Sequence, residues 1–163
     1  MKICLIDFDK TLINVDSCRY IFKKDKLYLK IPIYTIIYLL NLTLPKRYQV
    51  KYRLIFKKKL YQFIDDKYID YFKSQINHTL IDIIKGKRYD YIVIISSTKL
   101  DIIQHTLKDV FEVDCILSNC WNIRKVEKLQ RKFPYWNRHT FHLFTDSYDD
   151  KPLMKICKET YIV

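Results

Sequence analysis

The chain has 163 residues, 49% of them hydrophobic and 29% charged, which suits one globular core with room for an inserted subdomain and excludes a disordered chain. Its five cysteines form no C-x-x-C pair, which argues against a disulfide framework or a structural zinc site and suits reduced thiols in the cytoplasm. The net charge of +12 is local: Arg19 to Lys59 holds 12 basic residues against the single acid Asp25, so an anionic partner should meet that segment.

Lys2 to Phe8 is a short apolar run that reads as a buried strand. Asp7 and Asp9 interrupt it, which speaks against a signal peptide. Cys18 to about Lys87 reads as helical throughout, with turn signals at Leu44-Pro45 and Asp65-Asp66. Inside it, Ile31 to Leu44 is 14 residues without a charge. As a helix it would span about 21 Å, short of the roughly 30 Å of a bilayer core. Flanked by Lys23, Lys24, Lys26, Lys46, Arg47, Lys51 and Arg53, it suits a helix lying on anionic lipid. It equally suits a helix packed within the insertion, its lysines merely solvated. Tyr48 to Tyr61 interleaves bases with aromatics as some nucleic-acid binders do, but no accompanying motif supports nucleic acid as a partner.

Tyr89 to Ser96 repeats the form of the first strand, with β-branched residues at its centre. Helical patterns follow at about Leu100 to Phe111, Arg124 to Phe133 and Pro152 to Lys158. Shorter strand candidates lie at Val113 to Leu117, Thr140 to Thr145 and Thr160 to Val163. Buried strands alternating with helices predict an α/β fold with a Rossmann-like parallel sheet. Residues 1–15 and 88–163 would form this core, and residues 16–87 a helical cap inserted after the first strand.

In open parallel sheets the ligand sits at the carboxyl ends of the strands. Those positions hold Asp7-Phe8-Asp9-Lys10-Thr11, Ser96-Ser97-Thr98 and Asp146-Ser147-Tyr148-Asp149-Asp150, with Lys125 on a helix between the last two. These residue types suit phosphoryl transfer. A carboxylate nucleophile divides a very slow hydrolysis into two steps. A second carboxylate can protonate the leaving oxygen and later activate water. Gathered carboxylates repel unless a hard cation binds them, and Mg²⁺ takes oxygen ligands of this kind. Strand alternation sets Ser97 against Ser96, and Lys128 lies one turn beyond Lys125.

Asp7-Phe8-Asp9-Lys10-Thr11-Leu12 resembles the D-x-D-x-T signature of the haloacid dehalogenase superfamily. Ser96 resembles its second motif, Lys125 in Arg124-Lys125-Val126-x-x-Leu129 its third, and Asp146-Ser147-x-x-Asp150 its fourth. The four occur in family order and span nearly the whole chain. Asp16-Ser17 and the insertion after motif one resemble the phosphoserine-phosphatase-like branch, which includes phosphatases of small metabolites and of phosphatidylglycerophosphate. The resemblance implies a Mg²⁺-dependent phosphatase acting through an aspartyl-phosphate. Asp7 would be nucleophile and metal ligand. Asp9 would be general acid/base and offer its backbone carbonyl to the metal. Thr11, Ser96 and Lys125 would serve the motif-one loop and the phosphoryl oxygens, and Asp146 and Asp150 the metal. Thr145 stands where the family usually has glycine, and its side chain is expected to narrow the approach to the metal. The expected substrate is a small or lipid-borne phosphomonoester, met in the cytoplasm or at an anionic membrane. The rivals are a catalytically silent, anion-binding protein of the same fold and a phosphotransferase or mutase.

Overall fold

A computed structural model describes residues 1–24, 36, 39, 43, 54–58 and 60–163. Five strands form one parallel sheet: β1 (Lys2–Ile6), β2 (Tyr91–Ile95), β3 (Cys115–Leu117), β4 (Thr140–Thr145) and β5 (Glu159–Ile162), in the order β3-β2-β1-β4-β5. All four pairings are parallel, with Leu5 of β1 level with Val93 on one side and Leu143 on the other. The strand order leaves β1 in two directions, to β2 and β3 or to β4 and β5. The carboxyl end of β1 is therefore the switch point at which such sheets open a crevice.

The central strands β1, β2 and β4 are largely buried on both faces, and the period of two divides their side chains. Cys4, Ile6, Ile94 and Phe144 face one hydrophobic cluster, and Ile3, Leu5, Val93, Ile95, Phe141 and Leu143 face the other. The first layer of helices comprises α1 (Ser17–Lys24), α2 (Asp66–Ser74), α3 (His78–Gly86) and α4 (Leu100–Leu107). The second comprises α5 (Ile123–Lys132) and the single turn α6 (Lys151–Met154). Helix α1 begins where Asp16 Oδ1 accepts from Arg19 N at 2.9 Å, an N-cap that satisfies one of the otherwise unpaired first-turn donors. Helix α3 is capped in the same way by Asn77, which accepts from Leu80 N at 3.1 Å.

The differences from the sequence reading have local causes. The run through Phe111 leaves the helix at Leu107, because Asp109 turns into the left-handed region at φ 65°. The last helix stops at Met154 rather than Lys158. The long helical stretch breaks at Gln75–Asn77 as well as at Asp65, since a short polar side chain at 77 caps a new helix. Residues 66–86, read as the end of the inserted cap, share one cluster with the sheet through Tyr68, Phe72, Leu80 and Ile84, as Ile21, Phe56 and Leu60 do earlier in the insertion, and α2 packs against α4. An amphipathic helix looks the same in sequence whether its apolar face meets a cap or a sheet. Leu44-Pro45 and most of the Ile31–Leu44 run lie outside the described residues. Of that run, Ile36, Leu39 and Thr43 are helical, and each is exposed. No described helix is long and apolar enough to cross a membrane.

With a single glycine in the chain, tight turns fall to other residues. Lys10, Arg88, Asp109, Asn119 and Asn122 all have positive φ, between 47° and 65°, while Gly86 does not. Each such turn costs about 1 kcal/mol or more, least for Asn and Asp.

Because Phe72 is fully buried in the sheet's own core, Phe72→Ala should cost about 3–5 kcal/mol in urea unfolding. The loss should appear in one cooperative transition. A separate early transition that leaves the sheet signal intact would show residues 66–86 to be an independent unit.

Candidate active site

The carboxyl end of β1 delivers Asp7 into the crevice, pinned where its N–H donates to Phe144 O of the neighbouring strand at 2.9 Å. Helix α5 enters from the other layer, and its first turn places Lys125, 2% exposed, beneath the same point. The Lys125 ammonium lies 3.0 Å from Asp7 Oδ1 and 2.7 Å from Asp150 Oδ2. One buried cation thus joins β1, α5 and the turn after β4. Burial opposes the charge on Lys125, but Asp7 and Asp150 outweigh it and raise its pKa.

Thr145, fully buried at the end of β4, donates its hydroxyl to Asp150 Oδ2 at 2.9 Å and accepts from Ser147 N at 3.3 Å. The expectation that this side chain narrows the approach to the metal is not met. Thr145 does not line the cavity; it points into the protein and holds Asp150 in place. Asp150 in turn stands as the anchor of Lys125, its Oδ2 taken by both partners.

Asp9 sits in a different environment. Its Oδ1 accepts from Ser17 N at 2.9 Å, and its Oδ2 accepts from Thr98 Oγ1 at 2.8 Å and lies 3.2 Å from Lys57 Nζ. The Lys57 ammonium also donates to Ser97 Oγ at 2.7 Å. Tyr61 completes the set, its hydroxyl 3.1 Å from Ser17 Oγ and 3.2 Å from Thr98 Oγ1. Sequence reasoning counted Lys57 only as one of a run of basic residues, yet it is 5% exposed and reaches the site. A signal was present: Phe56, Leu60 and Tyr61 are also buried, so Lys57 falls within an apolar helical stripe where a lysine needs a partner.

A cavity of about 150 Å³ opens over these groups, its lining including Asp7, Asp9, Lys57, Ser97, Lys125 and Asp146. Ser96 is 1% exposed and does not line it; its Oγ accepts from Thr98 N at 3.2 Å and its backbone ties β2 to Leu117 and Cys120. Ser97 is the serine that faces the cavity. Thr11 is buried in the motif-one loop, its hydroxyl without a partner among the described residues. Lys128 turns away to donate to Ser118 O.

Asp7 and Asp146 are the carboxylates that an oxygen-seeking cation could share here with the Asp9 backbone carbonyl. Burial raises the pKa of Asp146, with Lys10 opposing, as suits a carboxylate that would gain from a cation. No group of three or more His, Cys, Asp or Glu side chains is assembled among the described residues. The donor set fits Mg²⁺, which takes one or two carboxylates and keeps several waters, and it lacks the nitrogen and sulfur ligands of a zinc site.

The chain shares its fold with several solved structures. Solved structures that share it include a protein of unknown function from Bordetella pertussis Tohama I (TM-score 0.71, 12% identity, 99% of this chain and 89% of the other). A phosphoserine phosphohydrolase-like protein from Francisella tularensis aligns with TM-score 0.60 and 18% identity over 99% and 95% of the two chains. A haloacid dehalogenase family hydrolase from Salmonella enterica serovar Typhi aligns with TM-score 0.65 and 19% identity, over 96% of this chain and 60% of its own. No family model and no curated protein matches the sequence.

Two residues apart, Asp7 and Asp9 are driven in opposite directions. Burial, reinforced by Asp150 and Asp9 and opposed by Lys125, pushes Asp7 from an ordinary 3.8 up to about 6. Burial also works against the Asp9 carboxylate, but Lys57, Ser17 and Thr98 outweigh it and hold the group below its ordinary value. A raised carboxyl pKa means the folded chain binds that proton more tightly, so Asp7 erodes stability as pH rises from about 4 to 6. A lowered one means Asp9 contributes stability above about pH 4 that is lost as pH falls through its folded pKa. Metal-free Asp7→Asn should therefore show a flatter stability profile than wild type between pH 4 and 6, on top of the loss from leaving Lys125 with Asp150 alone. An unchanged profile in thermal scans would place the Asp7 charge in a comfortable environment. Lys57→Met should lift the Asp9 carboxyl above its ordinary range, read by carboxyl carbon NMR; an unmoved resonance would show that Ser17 and Thr98 suffice.

Proposed function

We propose that the chain is a Mg²⁺-dependent phosphomonoesterase working through an aspartyl-phosphate on Asp7. The observation that carries the reading is the Lys125 ammonium bridging Asp7 and Asp150 beneath a cavity that Asp9 faces from the other side. In the first step an Asp7 oxygen forms a bond to phosphorus as the bond to the alcohol oxygen breaks. The leaving oxygen takes a proton from Asp9. In the second step Asp9, now ionised, takes a proton from water, whose oxygen attacks phosphorus and returns Asp7 as a free carboxylate with inorganic phosphate as product. Lys57 favours the ionised Asp9 that the second step needs. A phosphoryl dianion entering the cavity competes for that ammonium and so favours the protonated Asp9 that the first step needs. Lys125 holds Asp7 in register and neutralises charge on the phosphoryl oxygens, a role usually worth about 10²–10³ in rate. Mg²⁺ held by Asp7, Asp146 and the Asp9 carbonyl would supply further neutralisation of those oxygens.

The basic, uncharged-centred stretch before residue 54 supports a lipid-borne substrate as well as a soluble one, since Ile36 and Leu39 are both 55% exposed one turn apart. That placement suits an apolar face lying on anionic lipid.

The test is phosphate release from sugar phosphates, phosphoserine and micellar phosphatidylglycerophosphate, with and without Mg²⁺. Wild type should turn over at least one substrate only with Mg²⁺, and Asp7→Asn should lose about a thousandfold or more. Absence of turnover on every substrate, with anion binding retained, would sink the reading in favour of a silent binding protein. Product phosphate appearing on an added alcohol rather than in water would make the chain a phosphotransferase. If the micellar substrate is used, its turnover should fall steeply with salt; indifference to salt would remove the lipid contact.

A further inference from the structure

Outside Arg19 to Lys59, basic and acidic residues nearly balance along the sequence, yet the fold sorts them by layer. On the first layer of helices they mix and pair, as Lys67 does with Asp65 and Lys99 with Asp101. The outer face of the second layer differs. Helix α5 turns Lys125, Val126 and Leu129 inward and leaves Arg124, Arg131 and Lys132 exposed. Arg138 continues that line past its end. Lys151, Lys155 and Lys158 form a second exposed line on and beyond α6, which packs beside α5. None of these side chains forms an ion pair with any described residue. Glu127, three and four residues from Arg124 and Arg131, pairs with neither, Asp149 lines the catalytic cavity, and Glu159 is turned to His142 and Tyr161.

Each end of this face carries an exposed aromatic ring with a cation over it. Tyr135 is 66% exposed, and the Arg138 guanidinium lies 5.2 Å from its ring centre; Tyr148 is 68% exposed, with the Lys151 ammonium at 5.8 Å. Tyr148 follows the carboxyl end of β4 and Tyr135 precedes its amino end, so the lines of bases run between the two rings. Cations with so little counter-charge repel one another, and a polyanion relieves that repulsion while releasing its own condensed counterions. Three of the chain's seven arginines, in a sequence that otherwise favours lysine, stand here. Their planar fork matches phosphate, and their plane stacks on rings.

We infer that the outer face of α5 and α6 binds a single-stranded nucleic acid, its phosphates on the two lines of bases and its unpaired bases on Tyr135 and Tyr148. Helix α5 alone, at ten residues, spans about 15 Å, room for about four phosphates at ~3.4 Å per nucleotide. A duplex keeps its bases stacked inside and leaves both rings unused. A bilayer fits less well, because an interfacial helix inserts an apolar face between its bases. Among the described residues of this layer, the only exposed large apolar side chain besides the two tyrosines is Ile123, at the start of α5. The face lies outside the catalytic cavity, so the inference stands apart from the phosphatase reading.

The probe is a short oligouridine with hydroxyl groups at both ends and a fluorescent label on an internal base, read by anisotropy with the full chain. Lacking a terminal phosphate, it offers the catalytic cavity no phosphomonoester. Wild type should bind it with log K falling against log salt at a slope of about −3, the value for about four phosphates on a single strand. Arg131→Glu/Lys155→Glu should weaken binding by about tenfold or more and flatten the slope by about one unit, while Arg131→Lys/Lys155→Arg should bind as wild type does. Tyr135→Leu should weaken binding by about tenfold with the slope unchanged, since stacking releases no counterion. All three variants replace exposed side chains and should melt as wild type does. Absence of binding at low salt overturns the proposal. So does binding that survives Arg131→Glu/Lys155→Glu but is lost in Lys46→Glu/Lys51→Glu, which would move the nucleic acid to the basic insertion. Anionic vesicles are the remaining probe: tighter binding to them than to the oligouridine, weakened by the same Arg131 and Lys155 reversal, would make this face a membrane contact instead.

Discussion

A buried ammonium held between a buried carboxylate, Asp150, and a mostly buried one, Asp7, is the interaction on which the rest of this structure depends. Lys125 cannot lie under the crevice without Asp7 and Asp150, and neither carboxylate can lie there without Lys125. Removing one partner from such a set leaves an uncompensated charge in a poorly solvated place, at a cost of about 3–5 kcal/mol. The three residues come from β1, from the first turn of α5 and from the turn that follows β4. Their mutual requirement therefore fixes how the second helical layer sits on the sheet. Thr145 extends the arrangement by one hydrogen bond, so that a residue outside the cavity governs the angle at which Asp150 meets the lysine.

The second ionic group, Lys57 with Asp9, Ser97 and Thr98, links the insertion to the sheet and gives the site its asymmetry. Asp7 is mostly buried beside two further acids, whereas Asp9 is surrounded by donors. These environments push the two carboxyl groups apart, Asp7 upward through burial and Asp9 downward through Lys57, Ser17 and Thr98. The sheet supplies the geometry: Asp7 continues a buried strand, and Asp9, two residues later, has already turned toward α1 and β2.

Much of this was legible in the sequence, for identifiable reasons. The strands were readable because a parallel strand buried on both faces leaves a short apolar run, and β4 was located to the residue. Asp7, Asp9, Lys125 and Asp146 were readable because each directly follows a strand or opens a helix, where chemistry-bearing side chains stand out against apolar neighbours. The structure places all four on one cavity. Lys57 was hidden within three consecutive lysines, and only the burial of Phe56, Leu60 and Tyr61 around it separates it from Lys58. Ser96 and Ser97 could not be told apart by alternation alone, because the chain has already left the strand at that point and both are drawn into its end. The destination of residues 66–86 was likewise open, since a 3.6-residue period reports an apolar face and not what covers it.

Among the described residues, five with side chains have positive φ in a chain that owns one glycine and uses it elsewhere. The Asn and Asp members lose little, but Lys10 and Arg88 cannot bond locally to their own backbone as those shorter residues do. A net stability of about 5–15 kcal/mol is typical of a domain this size, so these turns consume a noticeable share of it. The consequence is evolutionary: a fold that carries such a standing cost tolerates fewer further destabilising changes before it falls below the threshold for function. Drift in this chain should accordingly be narrow in its core and freest on the solvent-facing lysines.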